Sequence, residues 1–155
     1  MGRGSRGRRL PVEDRDILHG PCLLVGNGRS AARAAYALFS DQANTEVVLA
    51  FLDRQPVGFA VFFHNFSTFL SRRGIYLEDL YVRENSRGYG IGKKLLQYIA
   101  RLALERQCGR MEWSVLNWNT PAINFYKSIG AKPMDEWTVY RLEQINIKKL
   151  ADSKL

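Results

Sequence analysis

The chain has 155 residues, of which 46% are hydrophobic and 25% charged, and its formal net charge is +8. These values predict a single soluble globular domain with a sizeable core. They exclude a membrane-spanning helix, because no apolar run approaches the ~18 residues that crossing a bilayer requires. The two cysteines form no CxxC pair and the two histidines lie apart from them, so we expect no metal site and a reduced, cytoplasmic environment.

The positive charge is concentrated at the N-terminus. Residues 1–21 show no sustained hydrophobic period, which predicts a basic, disordered N-terminal segment. Its arginines are Arg3, Arg6, Arg8, Arg9 and Arg15. Such a segment can be a solvated tail, which we favour. It can also bind nucleic acid or an anionic membrane without specificity, or imitate a transit peptide.

A single domain is predicted over residues 22–145, followed by a C-terminal tail over residues 146–155. Its first half is predicted to hold four strands and one helix. In chain order these are the strand CLLV at 22–25, the helix SAARAAYALFS at 30–40, and the strands EVVLAFLD at 46–53, VGFAVFFHNF at 57–66 and GIYLEDLYV at 74–82. The turn RQP after the second strand predicts a hairpin of buried strands.

The second half of the domain alternates helices and strands. After a glycine-rich loop, we expect a helix to run to about Gln107 and to end at Cys108-Gly109. Its apolar positions at helical spacing are Leu95, Leu96, Ile99, Leu102 and Ala103. Then follow the strand RMEWSVL at 110–116, the helix PAINFYKSI at 121–129 ended by Gly130, the strand WTVYRL at 137–142, and a short helix or frayed end over 143–155. This order predicts an α/β (α+β) fold in which helices pack on a mixed sheet.

The glycine-rich loop before the central helix predicts an anion-binding site. Gly88, Gly90 and Gly92 let the backbone approach a ligand closely, and the free N–H groups at a helix start attract phosphate. Lys93 adds positive charge just inside the helix. The spacing fits neither the GxGxxG motif of dinucleotide-binding proteins nor a Walker loop, which would need a hydroxyl residue after its lysine. It does fit Arg-x-x-Gly-x-Gly, with Arg87 as the first residue.

Together with its flanking segments, this loop resembles that of the GNAT acetyltransferases. YLEDLYV at 76–82 and WNTPAINFYKSIGA at 118–131 are similar to the diamine branch, the spermidine/spermine and thialysine acetyltransferases. The resemblance covers roughly residues 46–142. It implies a GNAT-like mixed, mostly antiparallel central sheet with helices on both faces, acetyl-CoA as cosubstrate, a small-molecule amine as acceptor, and a homodimer. The N-terminal 30 residues show no clear counterpart of the strand and helices with which the family opens.

The resemblance also implies two catalytic residues. Glu78 is expected to take the proton from the acceptor amine, directly or through water, and to hold a cationic substrate by charge. Its alternative is a surface salt bridge, since strand alternation puts either Glu78 or Asp79 on the outer face. Tyr126 is expected to protonate the departing thiolate, because a phenol pKa of ~10 suits that step. Its alternative is core packing on an apolar helix face.

Two binding sets complete the site that the resemblance implies. The cofactor-binding residues are Leu80, Tyr81, Val82, Arg87, Gly88, Tyr89, Gly90, Ile91, Gly92, Lys93, Asn119, Ala122 and Tyr126. The acceptor-binding residues are Glu78, Glu112, Trp113 and Ser114. Within these sets the Leu80 N–H donates to the thioester carbonyl, and Asn119 caps its helix, binds CoA, or does both.

Two other functions remain open from the sequence. One is acetylation of a protein lysine or N-terminus. The other is a non-catalytic CoA-binding module whose basic head contacts nucleic acid.

Overall fold

In the computed structural model, the described residues are 17–19, for which only the backbone is described, and 44–153. They include one five-stranded sheet in which the strands lie side by side in chain order. The strands are β1 (Ile17–His19), β2 (Thr45–Leu52), β3 (Gln55–Ser67), β4 (Arg72–Val82) and β5 (Met111–Trp113). Neighbours from β1 to β4 pair antiparallel, whereas β4 and β5 pair parallel. The predicted mixed, mostly antiparallel sheet is therefore confirmed.

Three α-helices accompany the sheet in this part of the chain. They are α1 (Ile91–Glu105), α2 (Thr120–Ser128) and α3 (Gln144–Ala151), and a 3-10 turn at Glu84–Ser86 precedes α1. The chain divides into two compact units, one up to Ser114 and one from Val115 onward. Within the ranges described above, no helix combines the length and the apolar character needed to cross a bilayer.

Helix α1 packs on strands β2, β3 and β4 through one apolar face. Its buried side chains are Ile91, Leu95, Leu96, Ile99 and Ala103, while Leu102, also predicted on this face, is half-buried. Burying each of the leucines and isoleucines among them stabilises the fold by roughly 1.5–3 kcal/mol. Just after the helix, Arg106 forms a two-point ion pair with Glu46 of β2, and Nη2 lies 2.8 Å from Oε2. This pair fixes the C-terminal end of α1 to the sheet.

The end of α1 differs from the prediction. The helix ends at Glu105, before the expected Cys108-Gly109, and Gln107, with a φ of 56°, takes the left-handed conformation while the Cys108 N–H donates to the Ala103 carbonyl at 2.8 Å. Gly109 instead lies close to Leu70 of the β3–β4 turn. A Cβ built at this position would lie 3.0 Å from Cδ1 of Leu70, so the β3–β4 turn can approach closely only because the side chain is absent.

Other boundaries also differ from those predicted. Residues 137–142 were expected to form a strand, but they pair with no strand among the described residues, and Val139 and Tyr140 are 82% and 92% exposed. Their alternating apolar residues favour an extended chain, but a strand also requires a partner that supplies hydrogen bonds. The strand predicted over 110–116 is paired only over Met111–Trp113. Residues 143–155, expected as a short helix or frayed end, include α3.

Strand β1 lies inside the segment that was expected to be disordered, and it pairs with residues Val48–Ala50 of β2. Sheet pairing with a distant segment overrides the weak local signal there. The strand predicted at 22–25 and the helix predicted at 30–40 lie outside the described residues. The helix layer on the second face of the sheet stays a prediction.

Candidate active site

The candidate site begins where β4 and β5 part. The two strands are paired from Ile75 opposite Met111 to Leu77 opposite Trp113, and no pair follows. Strand β4 continues to Val82 after β5 has ended. Among the described strands, the edge of β4 beyond Leu77 therefore has no neighbour on the β5 side, and it can accept an extended ligand through its backbone.

A β-bulge lies at this fork. Val61 of β3 pairs with Asp79 and Phe62 pairs with Leu77, so Glu78 is an extra residue without a partner of its own. A bulge of this kind bends the strand and redirects the groups that follow it. Glu78 and Asp79 are both exposed. The expectation that alternation would turn only one of them outward is wrong, because the bulge breaks the alternation between them.

The bulge also reverses the direction of the backbone N–H groups, so that residues before and after Glu78 follow opposite alternation. The Ile75 N–H points toward β5, since it donates to the Arg110 carbonyl at 3.0 Å. The Arg83 N–H points the other way, since it donates to the Val57 carbonyl of the β3 strand at 2.9 Å. In a regular strand two residues eight positions apart would point the same way. The single reversal at Glu78 explains the difference.

As a consequence, the N–H groups of Leu80 and Val82 point toward the open edge. An independent contact agrees with this direction, because the Val82 carbonyl, which lies on the same side as its N–H, accepts a hydrogen bond from Arg87 Nε at 3.1 Å. Tyr81 lies between them and stacks on Phe59 of β3, with ring centroids 5.5 Å apart. Its side chain therefore belongs to the sheet face.

The glycine-rich loop leads from this edge into α1. Gly88 and Gly90 have φ values of 81° and 79°, which residues with a side chain adopt only with strain. Gly90 is the N-cap of α1 and no side chain caps the helix there. A Cβ built on Gly90 would have no atom within 4 Å, so the space in front of the helix start is open. The first N–H groups of α1, from Ile91 to Lys93, have no acceptor within the helix and lie at its positive end.

The structure thus fits a diphosphate at this position. The first turn of α1 lies beside the end of β4, because a Cβ on Gly92 would lie 3.7 Å from Cγ2 of Val82. Arg87 links the end of β4 to the 3-10 turn, since its Nε donates to the Val82 carbonyl while Nη1 lies 3.7 Å from Glu84 Oε1. Tyr89, also in the predicted set, lines a shallow pocket of about 250 Å³ with residues of the β2–β3 turn and the 3-10 turn.

The other side of the fork carries the predicted acceptor-binding residues of β5. Glu112 forms an ion pair with Arg110, with Nε and Oε2 2.8 Å apart, and Oε2 also accepts a hydrogen bond from Asn65 Nδ2 at 2.8 Å. Its charge is therefore compensated. Trp113 is half-buried, and the Ser114 Oγ lies 2.8 Å from the hydroxyl of Tyr76, a residue that sequence reasoning did not select.

The remaining predicted residues belong to the second compact unit. Asn119 caps α2, because its Oδ1 accepts a hydrogen bond from the Ala122 N–H at 3.3 Å, which confirms the capping role. Gly130 ends the helix as predicted, with a φ of 88°. Tyr126 is half-buried, with its ring 5.5 Å from that of Phe125, and this burial raises the pKa of its phenol. An ordinary phenol, with a pKa of ~10, is already protonated at neutral pH, and the upward shift leaves it so.

The structure thus brings one group of predicted residues together along a continuous backbone path. This path runs from Glu78 through the β4 edge to the start of α1. The bulge itself was not predicted from the sequence, where its single sign is a pair of adjacent carboxylates inside an otherwise apolar strand. Nor did it indicate Tyr76, whose role depends on pairing between strands far apart in the chain.

Comparisons with known proteins assign the chain to a family. Residues 17–131 match the acetyltransferase (GNAT) family. The chain is 46% identical over 85 residues to an L-ornithine N5-acetyltransferase of Arabidopsis thaliana, covering 55% of this chain and 37% of that protein. It is 38% identical over 98 residues to a thialysine N-epsilon-acetyltransferase of Bos taurus, covering 61% and 57%, and 31% identical over 128 residues to that of Caenorhabditis elegans, covering 79% of each.

The chain therefore spans only 37% and 57% of the length of the Arabidopsis and bovine relatives. Among solved structures, an integron cassette protein from the mobile metagenome of V. cholerae has a TM-score of 0.72 at 33% identity, covering 82% of this chain and 81% of that one. A ribosomal-protein-alanine N-acetyltransferase from Brucella melitensis has a TM-score of 0.63 at 25% identity, covering 74% and 81%. The thialysine enzymes belong to the branch that the sequence motifs indicated. The chain belongs to the GNAT acetyltransferase family.

Proposed function

We propose that this protein transfers the acetyl group of acetyl-CoA to a primary amine, namely a small diamine, a polyamine or a lysine-like amine. The observation that carries the proposal is the continuous path from the bulge at Glu78, along the open edge of β4, into the uncapped start of α1. Members of the GNAT family use acetyl-CoA as acyl donor. This path offers backbone donors for the pantetheine arm at one end and for a diphosphate at the other.

The donor side of the site is built mainly from backbone. Residues Gly88 to Lys93 would hold the diphosphate, with Arg87 beside them. Leu80, Tyr81 and Val82 would line the pantetheine arm. The family resemblance also assigns Asn119 and Ala122 to CoA binding. The bound acetyl-CoA supplies an activated thioester. The Leu80 N–H donates a hydrogen bond to the thioester carbonyl oxygen and stabilises the negative charge that develops there.

Two side chains move the protons. A typical alkylamine has a pKa of ~10 and is an ammonium at neutral pH, so it must lose a proton before it can attack. Glu78 takes that proton, directly or through water, and its exposure at the bulge leaves it accessible to the acceptor. Tyr126 gives its phenolic proton to the departing thiolate. The phenol is protonated at neutral pH, as a general acid must be.

The acceptor is selected by charge near the fork. Glu78 and its neighbour Asp79 present two exposed carboxylates that attract a cationic amine. Glu112, expected as a further anionic anchor, is a weaker candidate because Arg110 compensates its charge. Trp113 and Ser114 would line the acceptor pocket. The names of the ornithine and thialysine acetyltransferases support an amine on a short flexible chain.

A second candidate is acetylation of a protein N-terminus or lysine. The similarity to a ribosomal-protein-alanine N-acetyltransferase favours it, although the curated relatives at higher identity are named for small amines. The homodimer implied by the resemblance is part of the proposal and is tested by sedimentation of the purified chain.

The proposed function is tested with acetyl-CoA and a panel of acceptors, read by release of free thiol. The panel contains putrescine, spermidine, thialysine, ornithine, a lysine peptide and an alanine-starting peptide. We expect thiol release above the amine-free control with at least one small amine, at a higher rate than with either peptide. Glu78→Gln should lower this rate more than Asp79→Asn, its matched neighbour. Thiol release that does not depend on any amine would refute the proposal.

A further inference from the structure

A pair of hydroxyl groups spans the fork between β4 and β5. The Tyr76 hydroxyl and the Ser114 Oγ lie 2.8 Å apart. Tyr76 is paired opposite Glu112, one position before the last pair of the parallel ladder, whereas Ser114 follows that last pair. The hydrogen bond therefore links β4 to the chain just beyond β5, at the point where the strands separate.

The Tyr76 ring is fixed from the neighbouring strand. Phe63 lies directly opposite Tyr76 in β3, and the two ring centroids are 5.2 Å apart at an interplanar angle of 33°. Tyr76 also shares a sheet face with Asp79, since their partners Phe63 and Val61 lie two positions apart on β3. An aromatic ring, a hydroxyl pair and a carboxylate thus lie along one face beside the bulge.

The hydroxyl pair retains hydrogen-bonding capacity. Each hydroxyl has one proton and two lone pairs, and the bond between the two uses one proton and one lone pair. The oxygens can therefore accept further hydrogen bonds from a ligand. The nearest anionic residue on β5 is less suited to a cation, because the Glu112 carboxylate is held by Arg110 and Asn65. An amino group reaching this position would meet neutral acceptors.

The spacing along β4 suggests what such a ligand would be. Tyr76 precedes Glu78 by two residues, so their backbone positions lie at most roughly 6.6 Å apart, the rise of a regular strand, and closer where the bulge bends the chain. An extended four-carbon diamine separates its two nitrogens by five bonds, or roughly 6 Å, at bond lengths near 1.5 Å. A reacting amine at Glu78 can therefore place its distal amino group near the hydroxyl pair.

We propose that Tyr76, supported by Ser114, determines acceptor specificity by binding the distal amino group of a diamine while Glu78 receives the reacting one. This inference rests on the proposed amine acetyltransferase function. The distal ammonium donates to the hydroxyl oxygens, and charge-assisted bonds of this kind are stronger than neutral ones. A monoamine of the same length lacks this contact and binds only through the reacting end.

The test compares 1,4-diaminobutane with butylamine as acceptors for the full chain, using acetyl-CoA and thiol release. The quantity measured is the ratio of kcat/KM for the two amines. We expect Tyr76→Phe to lower this ratio by about tenfold, the loss of one hydrogen bond to a charged group, and to change kcat/KM for butylamine less than about twofold. Ser114→Ala should lower the ratio in the same direction. Tyr140→Phe, which alters a phenol that is 92% exposed, is the matched control.

Several outcomes would overturn the inference. An unchanged ratio in Tyr76→Phe would remove Tyr76 from specificity, and an equal loss with both amines would assign it a merely structural role. The inference would also fail if the wild-type chain acetylated butylamine and the diamine with equal kcat/KM. Absence of turnover with every amine would overturn the proposed function as well. If thermal melting shows Tyr76→Phe to be unfolded, the Ser114→Ala ratio decides.

Discussion

Replacing Gly90 by alanine tests the helix start that the account depends on. Gly90 is the N-cap of α1 and has a φ of 79°, in the left-handed region. A side chain there costs about 1–2 kcal/mol in backbone strain. No clash adds to this cost, since a Cβ at Gly90 meets no atom within 4 Å. We therefore expect the free energy of unfolding to fall by about 1–2 kcal/mol.

The same substitution should weaken CoA binding. The added methyl group points into the open space that the proposed diphosphate would occupy, and relief of strain would turn the first N–H groups of α1 away from it. We expect the dissociation constant for CoA to rise at least about tenfold, which corresponds to 1.4 kcal/mol. Urea unfolding followed by circular dichroism measures the stability, and titration calorimetry measures the affinity.

Gly92→Ala is the matched control in the same loop. Gly92 lies inside the first turn of α1, and its Cβ would make an ordinary contact with Val82 at 3.7 Å. Alanine favours helix over glycine by up to about 1 kcal/mol, so this variant should be as stable as the wild type or slightly more stable. The reasoning is refuted if Gly90→Ala retains full stability and CoA affinity, or if Gly92→Ala loses as much of both.

Three further predictions concern proton transfer and pH. Tyr126→Phe should lower kcat by roughly 10²–10⁴-fold, the usual contribution of a general acid, while calorimetry still detects CoA binding. Glu78→Gln should lower kcat/KM, because the substituted amide cannot take the amine's proton, and should weaken the binding of cationic acceptors. His64 has a lowered pKa, first because of burial and then because of Arg106, whose Nη1 lies 3.5 Å from Nε2, and Arg73, while Glu46 opposes the shift. The folded chain therefore binds this proton less readily than the unfolded chain, and the free energy of unfolding should fall as pH drops below ~6.5 and level off below the folded-state pKa. His64→Gln should remove this part of the pH dependence in urea unfolding.

Each of these predictions has a contrary outcome. A wild-type rate for Tyr126→Phe would exclude the phenol from the mechanism and leave packing as its role. A wild-type kcat/KM in Glu78→Gln would assign removal of the amine's proton to another group. Equal slopes of stability against pH for the wild type and His64→Gln would show that His64 has the same pKa in the folded and unfolded chains.

The sequence predicts the local elements of this protein well, because their signals are local. The apolar period of α1, the β-rich runs of β2 to β4, and the two caps of α2 at Asn119 and Gly130 all depend on residues within a few positions of each other. The structure confirms each of them. The acetyltransferase motifs were likewise recognisable without the structure, and the family match confirms them.

Features that depend on pairing were not predictable in the same way. The bulge at Glu78 arises from the register between β3 and β4, which the two adjacent carboxylates in the strand do not by themselves predict. Nor does the sequence show that β5 stops pairing at Trp113, which opens the edge beside Leu80. At residues 137–142 a strand was predicted that the structure does not contain. The sequence there is strand-like, but it pairs with no strand among the described residues.

Calorimetric titration of the wild-type chain with CoA and, separately, with pantetheine tests the central claim most directly. Pantetheine keeps the arm that would lie along β4 but lacks the diphosphate. If the N–H groups at the start of α1 hold that diphosphate, CoA should bind at one site per chain and pantetheine at least about 100-fold more weakly, a difference of roughly 2.7 kcal/mol. Failure of CoA to bind the folded chain, or equal affinity for the two compounds, would contradict the claim.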